Sequence, residues 1–225
     1  MMQRLSILIS ALGFFVSATL ATEPAARREY AEWCSIWVSD ATKTDLPRVL
    51  LIGDSICNNY RVKVEQELKG KASVAMLATS AALGNPELLD EVKILVKNYK
   101  FAVIHFNIGL HGWDYSEAEY KRLFPEFLKV LKENAPNAKL IWATSTPIRS
   151  GPPNFQQFDA KNERVKARNT IVVGLAAQEG IPVDDLYGLV ENHPEWISDG
   201  IHYKPEGTNV QGEQVAKHIL DALAK

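Results

Sequence analysis

The sequence predicts an α/β fold, a three-layer α/β/α sandwich built on a parallel sheet of about five strands. Two observations support this prediction. Short apolar runs alternate with longer segments of helical periodicity, and those runs are typical of strands that are buried on both faces. Strands separated by helices pair in parallel, because each crossover helix returns the chain to the same end of the sheet. The chain contains no internal repeat, low-complexity tract or linker, so we expect one domain over residues 22–225.

The predicted strands are the apolar runs at residues 48–53, 72–78, 101–106, 140–144 and 181–183. The predicted helices are residues 60–68, 86–99, 116–134, 159–179 and 208–224. Pro86 suits a first helical turn, where its missing N–H leaves no bond unmade, and Gly180 ends the fourth helix. Ser116 and Glu119 have the spacing of a capping box, whereas Pro125 should kink or split the same helix.

Residues 23–47 precede the first predicted strand and contain Trp33 and Trp37, and we expect this segment to cover one side of the core. The chain has 2 cysteines, which are Cys34 and Cys57. In an oxidising compartment they could form a disulfide bond, but the sequence gives no distance between them. A buried free thiol at Cys57 is at least as good a prediction, and the question stays open.

The composition is close to the average of soluble globular proteins. The 225 residues are 46% hydrophobic and 23% charged, with 25 Lys and Arg against 27 Asp and Glu. These values argue against a disordered, collagen-like or disulfide-stapled protein. The chain has no long run of like charges, so we expect neither a nucleic-acid partner nor attraction to an anionic membrane surface.

Residues 1–21 have the layout of a secretory signal peptide. Arg4 supplies a positive charge, residues 5–20 are uncharged and mostly apolar, and residues 17–21 are mostly small. The alternative is an uncleaved membrane anchor, but the apolar run is about 16 residues and a membrane span needs about 20. We therefore expect cleavage after Ala18 or Ala21, export to the periplasm or the extracellular space, and no stable membrane association after cleavage.

Polar motifs lie after the predicted strands, or in the last case just before the final helix, at the edge where an open α/β sheet binds its ligands. In chain order, these motifs are Gly53-Asp54-Ser55, Gly84, Asn107 and Asp199-x-x-His202. Together they supply a hydroxyl, a base, a carboxylate and candidate donors for an oxyanion. Each motif alone has a structural explanation, since Asp and Ser also cap helices and Asp-Gly also forms turns. Their joint occurrence in this order favours catalysis.

The residue types indicate nucleophilic catalysis. A serine hydroxyl is a weak nucleophile and needs an adjacent base to take its proton. We predict that Ser55 is the nucleophile, that His202 is the base, and that Asp199 orients the imidazole and stabilises its protonated form. Asp199 lies three residues before His202, so a single turn can bring the carboxylate to the ring.

With these residues the sequence resembles the SGNH hydrolases, also called GDSL esterases and lipases, of the secreted bacterial type. The motifs match the family's blocks in order across residues 48–215. The resemblance implies a flavodoxin-like sheet and the hydrolysis of carboxylic esters, often acetyl groups on carbohydrates or acyl groups on lipids. It also implies an oxyanion hole formed by the N–H groups of Ser55 and Gly84 and the side-chain amide of Asn107.

The third block departs from the family's pattern. The usual Gly-x-Asn-Asp is here His105-Phe106-Asn107-Ile108, so the asparagine is present while the glycine and the aspartate are not. We interpret this difference as divergence of a subfamily, not as loss of function.

Other residues near the predicted site have two explanations each. His111 could contact the substrate or close its loop on Trp113, and Trp113 and Trp196 could stack on sugar rings or pack as a lid or core. Arg149 could bind an acidic group of the substrate or be a solvated loop charge. We expect His105 to be a core residue. No pair of histidines has metal-site spacing and context, so we expect neither a metal ion nor a cofactor.

The sequence therefore predicts an exported serine esterase that works through an acyl-enzyme on a small-molecule or glycan ester, most simply a carbohydrate deacetylase. A lipase, a thioesterase or an acyltransferase would use the same residues. A catalytically silent carbohydrate-binding protein is a different alternative, but it has no need for Ser55, Asp199 and His202 together. A flavin- or nucleotide-binding protein is disfavoured, because no glycine-rich phosphate-binding motif follows a predicted strand. The sequence predicts no oligomeric state.

Overall fold

A six-stranded sheet forms the centre of the protein in a computed structural model, which describes residues 27–225. Its strand order is β1-β3-β2-β4-β5-β8, and five of these strands are parallel, whereas β1 runs antiparallel to β3 at one edge. The strands are β1 (Cys34–Val38), β2 (Arg48–Gly53), β3 (Ser73–Thr79), β4 (Val103–Phe106), β5 (Lys139–Ala143) and β8 (Val183–Asp184). The predicted α/β sandwich is confirmed. The predicted signal peptide, residues 1–21, lies outside the described residues.

Helices cover both faces of this sheet. They are α1 (Ser55–Glu67), α2 (Pro86–Asn98), α3 (Glu117–Asn134), α4 (Asn162–Glu179), α5 (Leu186–Val190) and α6 (Pro205–Leu223). A small hairpin, β6 (Arg149–Ser150) and β7 (Gln157–Phe158), and a short 3₁₀ helix, Pro194–Trp196, lie outside the sheet. Val49 and Leu51 of β2 pack with α1, α5 and α6, whereas Leu50 and Ile52 pack with α2, α3 and α4. This alternation explains why the whole strand is apolar.

Strand β1 is the main element that the sequence did not predict. Four of its five residues are exposed, so Cys34–Val38 lacks the continuous apolar run that marks the inner strands. Residues 34–38 therefore extend the sheet instead of covering its core, and they pair along their whole length with β3.

Two predictions about helices need correction. Helix α1 begins at Ser55 and not at residue 60, because Asp54 caps it directly at the end of β2. Pro125 does not split α3, which runs unbroken from Glu117 to Asn134. Proline removes one helical hydrogen bond, but the buried face of α3, which includes Phe124 and Phe127, holds the helix against the sheet. The predicted capping box of Ser116 and Glu119 is confirmed.

Both cysteines are free thiols in this structure. Cys34 is exposed on β1, and Cys57 is buried in α1, where burial raises the pKa of its thiol to about 12. The open question about a disulfide bond is thus answered in favour of a buried thiol at Cys57. None of the helices in residues 27–225 is long and apolar enough to cross a membrane.

A fully buried hydrogen-bonded pair joins β4 and β8, and α6 packs against it. His105 Nε2 lies 2.9 Å from Asp184 Oδ2, and neither side chain reaches solvent. Gln214 of α6 donates to Asp184 Oδ1 at 2.7 Å, and His218 Nε2 lies 3.5 Å from the same oxygen. Burial raises the pKa of Asp184, but the bond with His105 and the neighbouring groups outweigh it and hold the pKa below its ordinary value. His105 is thus the core residue that the sequence predicts.

We expect Asp184→Asn to lower the free energy of unfolding by about 3 kcal/mol at neutral pH, because the change removes one partner of a buried pair. The folded pKa of Asp184 is depressed, so its contribution is fully present above the unfolded pKa of about 3.9 and is lost as the pH falls below it. Urea unfolding at pH 7 and pH 3 should therefore show the difference between wild type and variant shrinking at the acid pH.

The exposed Asp221, which pairs with Lys217 on α6, supplies the matched control. Asp221→Asn should change stability little at either pH. An Asp184→Asn difference that stays constant from pH 7 to pH 3 would contradict the role given to the buried carboxylate.

Candidate active site

Ser55 is the first residue of α1 and lies directly after the turn that leaves β2. Asp54 caps the helix, and its Oδ1 accepts the N–H of Ile56 at 2.9 Å. Gly53 allows this tight turn, since a Cβ there would lie 2.5 Å from Cys57 Cβ. None of the hydrogen bonds found in the described part of the chain uses the N–H of Ser55. The turn thus presents both the hydroxyl and an unused backbone donor at the carboxyl edge of the sheet.

The structure brings Ser55, His202 and Asp199 together in one chain of hydrogen bonds. Ser55 Oγ lies 2.8 Å from His202 Nε2, and His202 Nδ1 lies 2.7 Å from Asp199 Oδ2. Asp199 Oδ1 also accepts the backbone N–H groups of His202 at 2.9 Å and Ile201 at 3.0 Å. An imidazole held in this way can take a proton from the hydroxyl while the carboxylate stabilises the resulting charge.

The same hydrogen bonds keep Asp199 ionised. Partial burial raises the pKa of Asp199, but the bonds from the backbone and side chain of His202 and from the Ile201 N–H outweigh it and hold the pKa below its ordinary value. A carboxylate that stays charged at neutral pH suits the orienting role that the sequence predicts for Asp199.

The turn that carries Asp199 and His202 depends on Gly200. Its φ of 100° is in the region that favours glycine, and a Cβ there would lie 2.6 Å from the carbonyl oxygen of Arg149. Gly200 O accepts the N–H of Arg149 at 2.8 Å, so the turn is docked on strand β6. In the sequence the Asp-Gly pair is only a general turn signal, so it does not mark Gly200 as a positioning residue.

Arg149 holds loops together through its guanidinium. Its buried guanidinium donates to the carbonyl oxygens of Phe155 at 3.4 Å, Gln156 at 3.3 Å and Glu191. The expectation of a solvated loop charge is wrong, because Arg149 is buried, whereas binding of an acidic substrate group by Arg149 stays a prediction. Buried arginines commonly satisfy several carbonyls at once, because the guanidinium carries five donors.

Asn107 follows β4 and is fixed by neighbouring polar groups. Its Nδ2 donates to Ala143 O at 2.7 Å and lies 3.2 Å from Ser145 Oγ. Asn169 of α4 holds Ser145 in turn, accepting its N–H and donating to its carbonyl at 2.8 Å each. Asn107 shares a cavity of about 10 Å³ with Asp54, the neighbour of Ser55. Its amide nitrogen therefore donates two hydrogen bonds, the shorter to Ala143 O and the longer to Ser145 Oγ.

Gly84 lies in a different part of this edge. A Cβ there would lie 2.1 Å from Tyr115 Cζ, so the glycine allows the loop after β3 to pack on that ring. It lines a second cavity of about 10 Å³ together with His111 and Tyr115, and no described contact joins it to Ser55. The predicted role of Gly84 in an oxyanion hole therefore still rests on the family resemblance.

The loop after β4 is held by a buried arginine that the sequence analysis did not single out. Arg168 of α4 donates to the carbonyl oxygens of Gly109 at 2.9 Å, His111 at 2.7 Å, Gly112 at 2.9 Å and Tyr115 at 3.3 Å. It is one of many charged residues on helices, and nothing in the sequence distinguishes it from solvated neighbours. Its burial makes the loop a fixed part of the site.

His111 and Trp113 on this loop have partners other than each other. His111 Nδ1 lies 2.9 Å from Glu29 Oε2, and its ring meets Trp33 edge-on with centroids 6.4 Å apart. Trp113 packs under the guanidinium of Arg168, whose Cζ lies 4.6 Å from the ring centroid. The alternative that His111 closes its loop on Trp113 is therefore not what the structure shows, and substrate contacts of both residues stay predictions.

The site is open and shallow. His202 and Asp199 are both partly exposed, and the cavities beside Asn107 and Gly84 have room for about one water molecule each. A much larger cleft of about 790 Å³, lined by residues such as Lys139, Pro182 and Ala222, lies at the other end of β5, near the carboxyl ends of α3, α4 and α6.

Comparison with known proteins identifies the family. The model of the GDSL-like Lipase/Acylhydrolase family matches residues 51–210, more than half of the 225-residue chain, so the chain belongs to this family. It is accordingly a carboxylic ester hydrolase. No curated protein sequence matches the chain.

Solved structures share the fold at low sequence identity. A GDSL-like lipase from Bacteroides thetaiotaomicron is 19% identical with a TM-score of 0.61, over 78% of this chain and 88% of that one. The acetyl xylan esterase AlAXEase is 16% identical with a TM-score of 0.60, over 76% and 99%. A carbohydrate esterase family 3 protein from Talaromyces cellulolyticus is 14% identical with a TM-score of 0.61, over 78% and 97%. At these identities the likeness establishes the fold.

Gly200→Ala should lower kcat/KM for an ester by about 10- to 100-fold, because the added methyl group displaces the turn that holds Asp199 and His202. Steady-state hydrolysis of p-nitrophenyl acetate measures the loss, and thermal unfolding shows whether the fold persists.

Gly174 in α4, where a Cβ would meet no atom within 4 Å, gives the matched control. Gly174→Ala should raise stability by about 0.5–1 kcal/mol and leave hydrolysis unchanged. Wild-type activity in Gly200→Ala would contradict the positioning role.

Proposed function

We propose that this member of the GDSL-like lipase/acylhydrolase family is a serine esterase that works through an acyl-enzyme on Ser55 and removes short acyl groups, above all acetyl, from carbohydrates. The observation that carries the proposal is the chain of contacts from Ser55 Oγ to His202 Nε2 at 2.8 Å and from His202 Nδ1 to Asp199 Oδ2 at 2.7 Å.

In the proposed first half-reaction, Ser55 Oγ attacks the ester carbonyl carbon while His202 Nε2 takes its proton. The imidazolium is stabilised by Asp199, which stays ionised. The tetrahedral intermediate collapses when the bond to the alcohol oxygen breaks, and His202 returns its proton to that oxygen. A water molecule then attacks the acyl-enzyme with the same base, and the carboxylic acid and Ser55 are released.

The proposed oxyanion donors differ in their support. The N–H of Ser55 is unused by the described part of the chain and lies at the amino end of α1, where partial positive charge accumulates. The second hydrogen of the Asn107 amide makes only the 3.2 Å contact with Ser145 Oγ, which an oxyanion can replace. The N–H of Gly84 is included on the family resemblance alone. Each such donor contributes about 100- to 1,000-fold to the rate of acyl transfer.

A small cavity beside Asn107 supports a short acyl group. It measures about 10 Å³, is lined by Asp54 next to Ser55, and has no room for a long acyl chain. Two proteins of similar structure are named as an acetyl xylan esterase and a carbohydrate esterase of family 3. An open site whose base and carboxylate are partly exposed also admits a bulky alcohol such as a sugar chain.

Export and the identity of the partner belong to the same proposal. The uncharged run at residues 5–20 after Arg4 supports a cleaved signal peptide and a periplasmic or extracellular enzyme. Such an enzyme would meet small-molecule or glycan esters rather than nucleic acid, and the charge balance of 25 basic against 27 acidic residues agrees with a neutral substrate.

We expect wild-type enzyme to hydrolyse p-nitrophenyl acetate faster than the butyrate and octanoate esters, and to release acetate from acetylated glycans.

Ser55→Ala should lose at least about 10⁴-fold in kcat with an unchanged unfolding temperature, because no other nucleophile contacts His202 in the described residues. Ser150→Ala, on the exposed hairpin, is the matched control. Retained activity in Ser55→Ala would refute the nucleophile, and a preference for octanoate would refute the short acyl group.

Asp199→Asn should keep the fold and lower kcat by about 10⁴-fold, since an amide stabilises the imidazolium poorly and favours the wrong tautomer of His202. Stopped-assay turnover of p-nitrophenyl acetate measures the effect, and Asp221→Asn on α6 should turn over at the wild-type rate. If the Asp199 variant matched wild type, another acceptor would have to orient His202.

A further inference from the structure

We propose that Trp33 and Trp37 form a sugar-stacking strip along the edge of the sheet, and that this strip binds the glycan chain whose ester group reaches Ser55. The inference rests on the proposed function and extends it from the ester group to the alcohol part of the substrate. The term aromatic strip is used below for Trp33 and Trp37.

The register of the sheet places the start of this strip beside Ser55. Gly53 of β2 pairs with Ala78 of β3, and Ala78 pairs with Ser35 of β1. Two strand spacings, about 10 Å in all, therefore separate Gly53 from Ser35. Ser55 lies two residues beyond Gly53 towards the carboxyl edge, and Trp33 lies two residues beyond Ser35 in the same direction because β1 is antiparallel. A sugar that presents its ester to Ser55 can thus extend towards Trp33.

Both tryptophans project from the face of the sheet that carries α1. Side chains alternate along a strand, so residues 33, 35 and 37 share one face. Trp37 identifies this face, because its Nε1 donates to Glu65 of α1 at 2.9 Å and Arg61 of α1 lies 4.7 Å from its ring centroid. Ser55 begins the same helix. Four residues along the strand put the two indoles about 14 Å apart, a span that several linked sugars would cover.

The strip is held in place by the protein. The backbone of Trp33 bonds to Ser80, with its N–H donating to Ser80 Oγ at 2.9 Å and its carbonyl accepting the Ser80 N–H at 3.0 Å. The ring of Trp33 rests against His111, which Glu29 fixes in turn. Trp37 is clamped by Glu65, Ser39 and Arg61 on one side. Rigid rings lose little conformational freedom when a ligand binds, which favours stacking.

The rings nonetheless remain accessible. Trp33 is 37% exposed and Trp37 is 49% exposed, although tryptophan is usually well buried. Indole faces bordered by hydrogen-bonding groups such as Ser39, Glu65 and Arg61 suit the apolar faces and hydroxyl rims of pyranose rings. Together with the short path to Ser55, this mixed chemistry favours the glycan over other occupants.

Trp33→Ala and Trp37→Ala test the strip, with Ile36→Ala as the matched control. Ile36 lies between them on β1, is 41% exposed, and projects to the opposite face of the sheet. We compare hydrolysis of acetylated xylo-oligosaccharides of increasing length with hydrolysis of p-nitrophenyl acetate. In Trp33→Ala, KM for the oligosaccharides should rise about 3- to 10-fold more than KM for p-nitrophenyl acetate does. Trp33→Phe should restore most of the lost affinity for the oligosaccharides. Trp37→Ala should affect only the longer oligosaccharides, and Ile36→Ala neither substrate.

Each other outcome has a definite meaning. Equal losses on both substrates in Trp33→Ala, or no loss on the oligosaccharides, would overturn the strip.

If wild type hydrolyses p-nitrophenyl acetate but no acetylated glycan, the carbohydrate specificity of the proposed function fails. Quenching of tryptophan fluorescence by unacetylated xylohexaose, added to Ser55→Ala and to the same protein carrying Trp33→Ala, then decides the strip: loss of quenching in the double variant supports it, and no quenching in either overturns it. A wild-type dimer that the tryptophan variants dissociate would also overturn it, because the surface would then join two copies of the chain.

Discussion

The conformation of the active-site edge depends on Arg168, a buried side chain that donates hydrogen bonds to the backbone carbonyl groups of the loop after β4. Arg168 donates to four carbonyl oxygens of residues 109–115 from inside the protein. Buried carbonyls without partners would each cost about 1–3 kcal/mol, so this loop could not take its conformation without such a donor. Only a guanidinium offers enough donors in a fixed plane, and a lysine could not replace it. The loop then fixes His111, which supports Trp33, and follows directly from Asn107.

Around this anchor, the parts of the site are held by short polar contacts that lie deeper than the reacting groups. Asn169 fixes Ser145, which lies against the amide of Asn107, and strand β6 docks the turn of Gly200. Ser55 and His202 are partly exposed and Asp199 is exposed, but Asp54 before Ser55 and Gly200 before His202 are buried. This division is what a hydrolase needs, because water must reach the acyl-enzyme while the catalytic geometry stays fixed.

The sequence predicted the parts of the fold and site that depend on local pattern. Buried parallel strands give continuous apolar runs, and the Gly-Asp-Ser motif after a strand and the Asp-x-x-His motif before the last helix are recognisable without coordinates. It did not predict β1, because an exposed edge strand has no apolar run, or the start of α1, because the cap by Asp54 also fits a turn. Arg149 and Arg168 were not distinguishable from solvated arginines, since burial of a charge depends on carbonyls distant in the chain. Gly200 needed its φ of 100° to be recognised.

The shape of the site bears on where specificity arises. The cavity lined by Asn107 and by Asp54, the neighbour of Ser55, measures about 10 Å³ and has no room for an acyl group longer than acetyl. Discrimination by an enzyme requires contacts that strengthen in the transition state, and a small acyl group offers few atoms with which to make them. On the proposed function, binding energy must therefore come from the alcohol part, across the open edge of the sheet. Strand β1 lies at this edge, and four of its five residues are exposed, so their side chains can vary with little effect on the core.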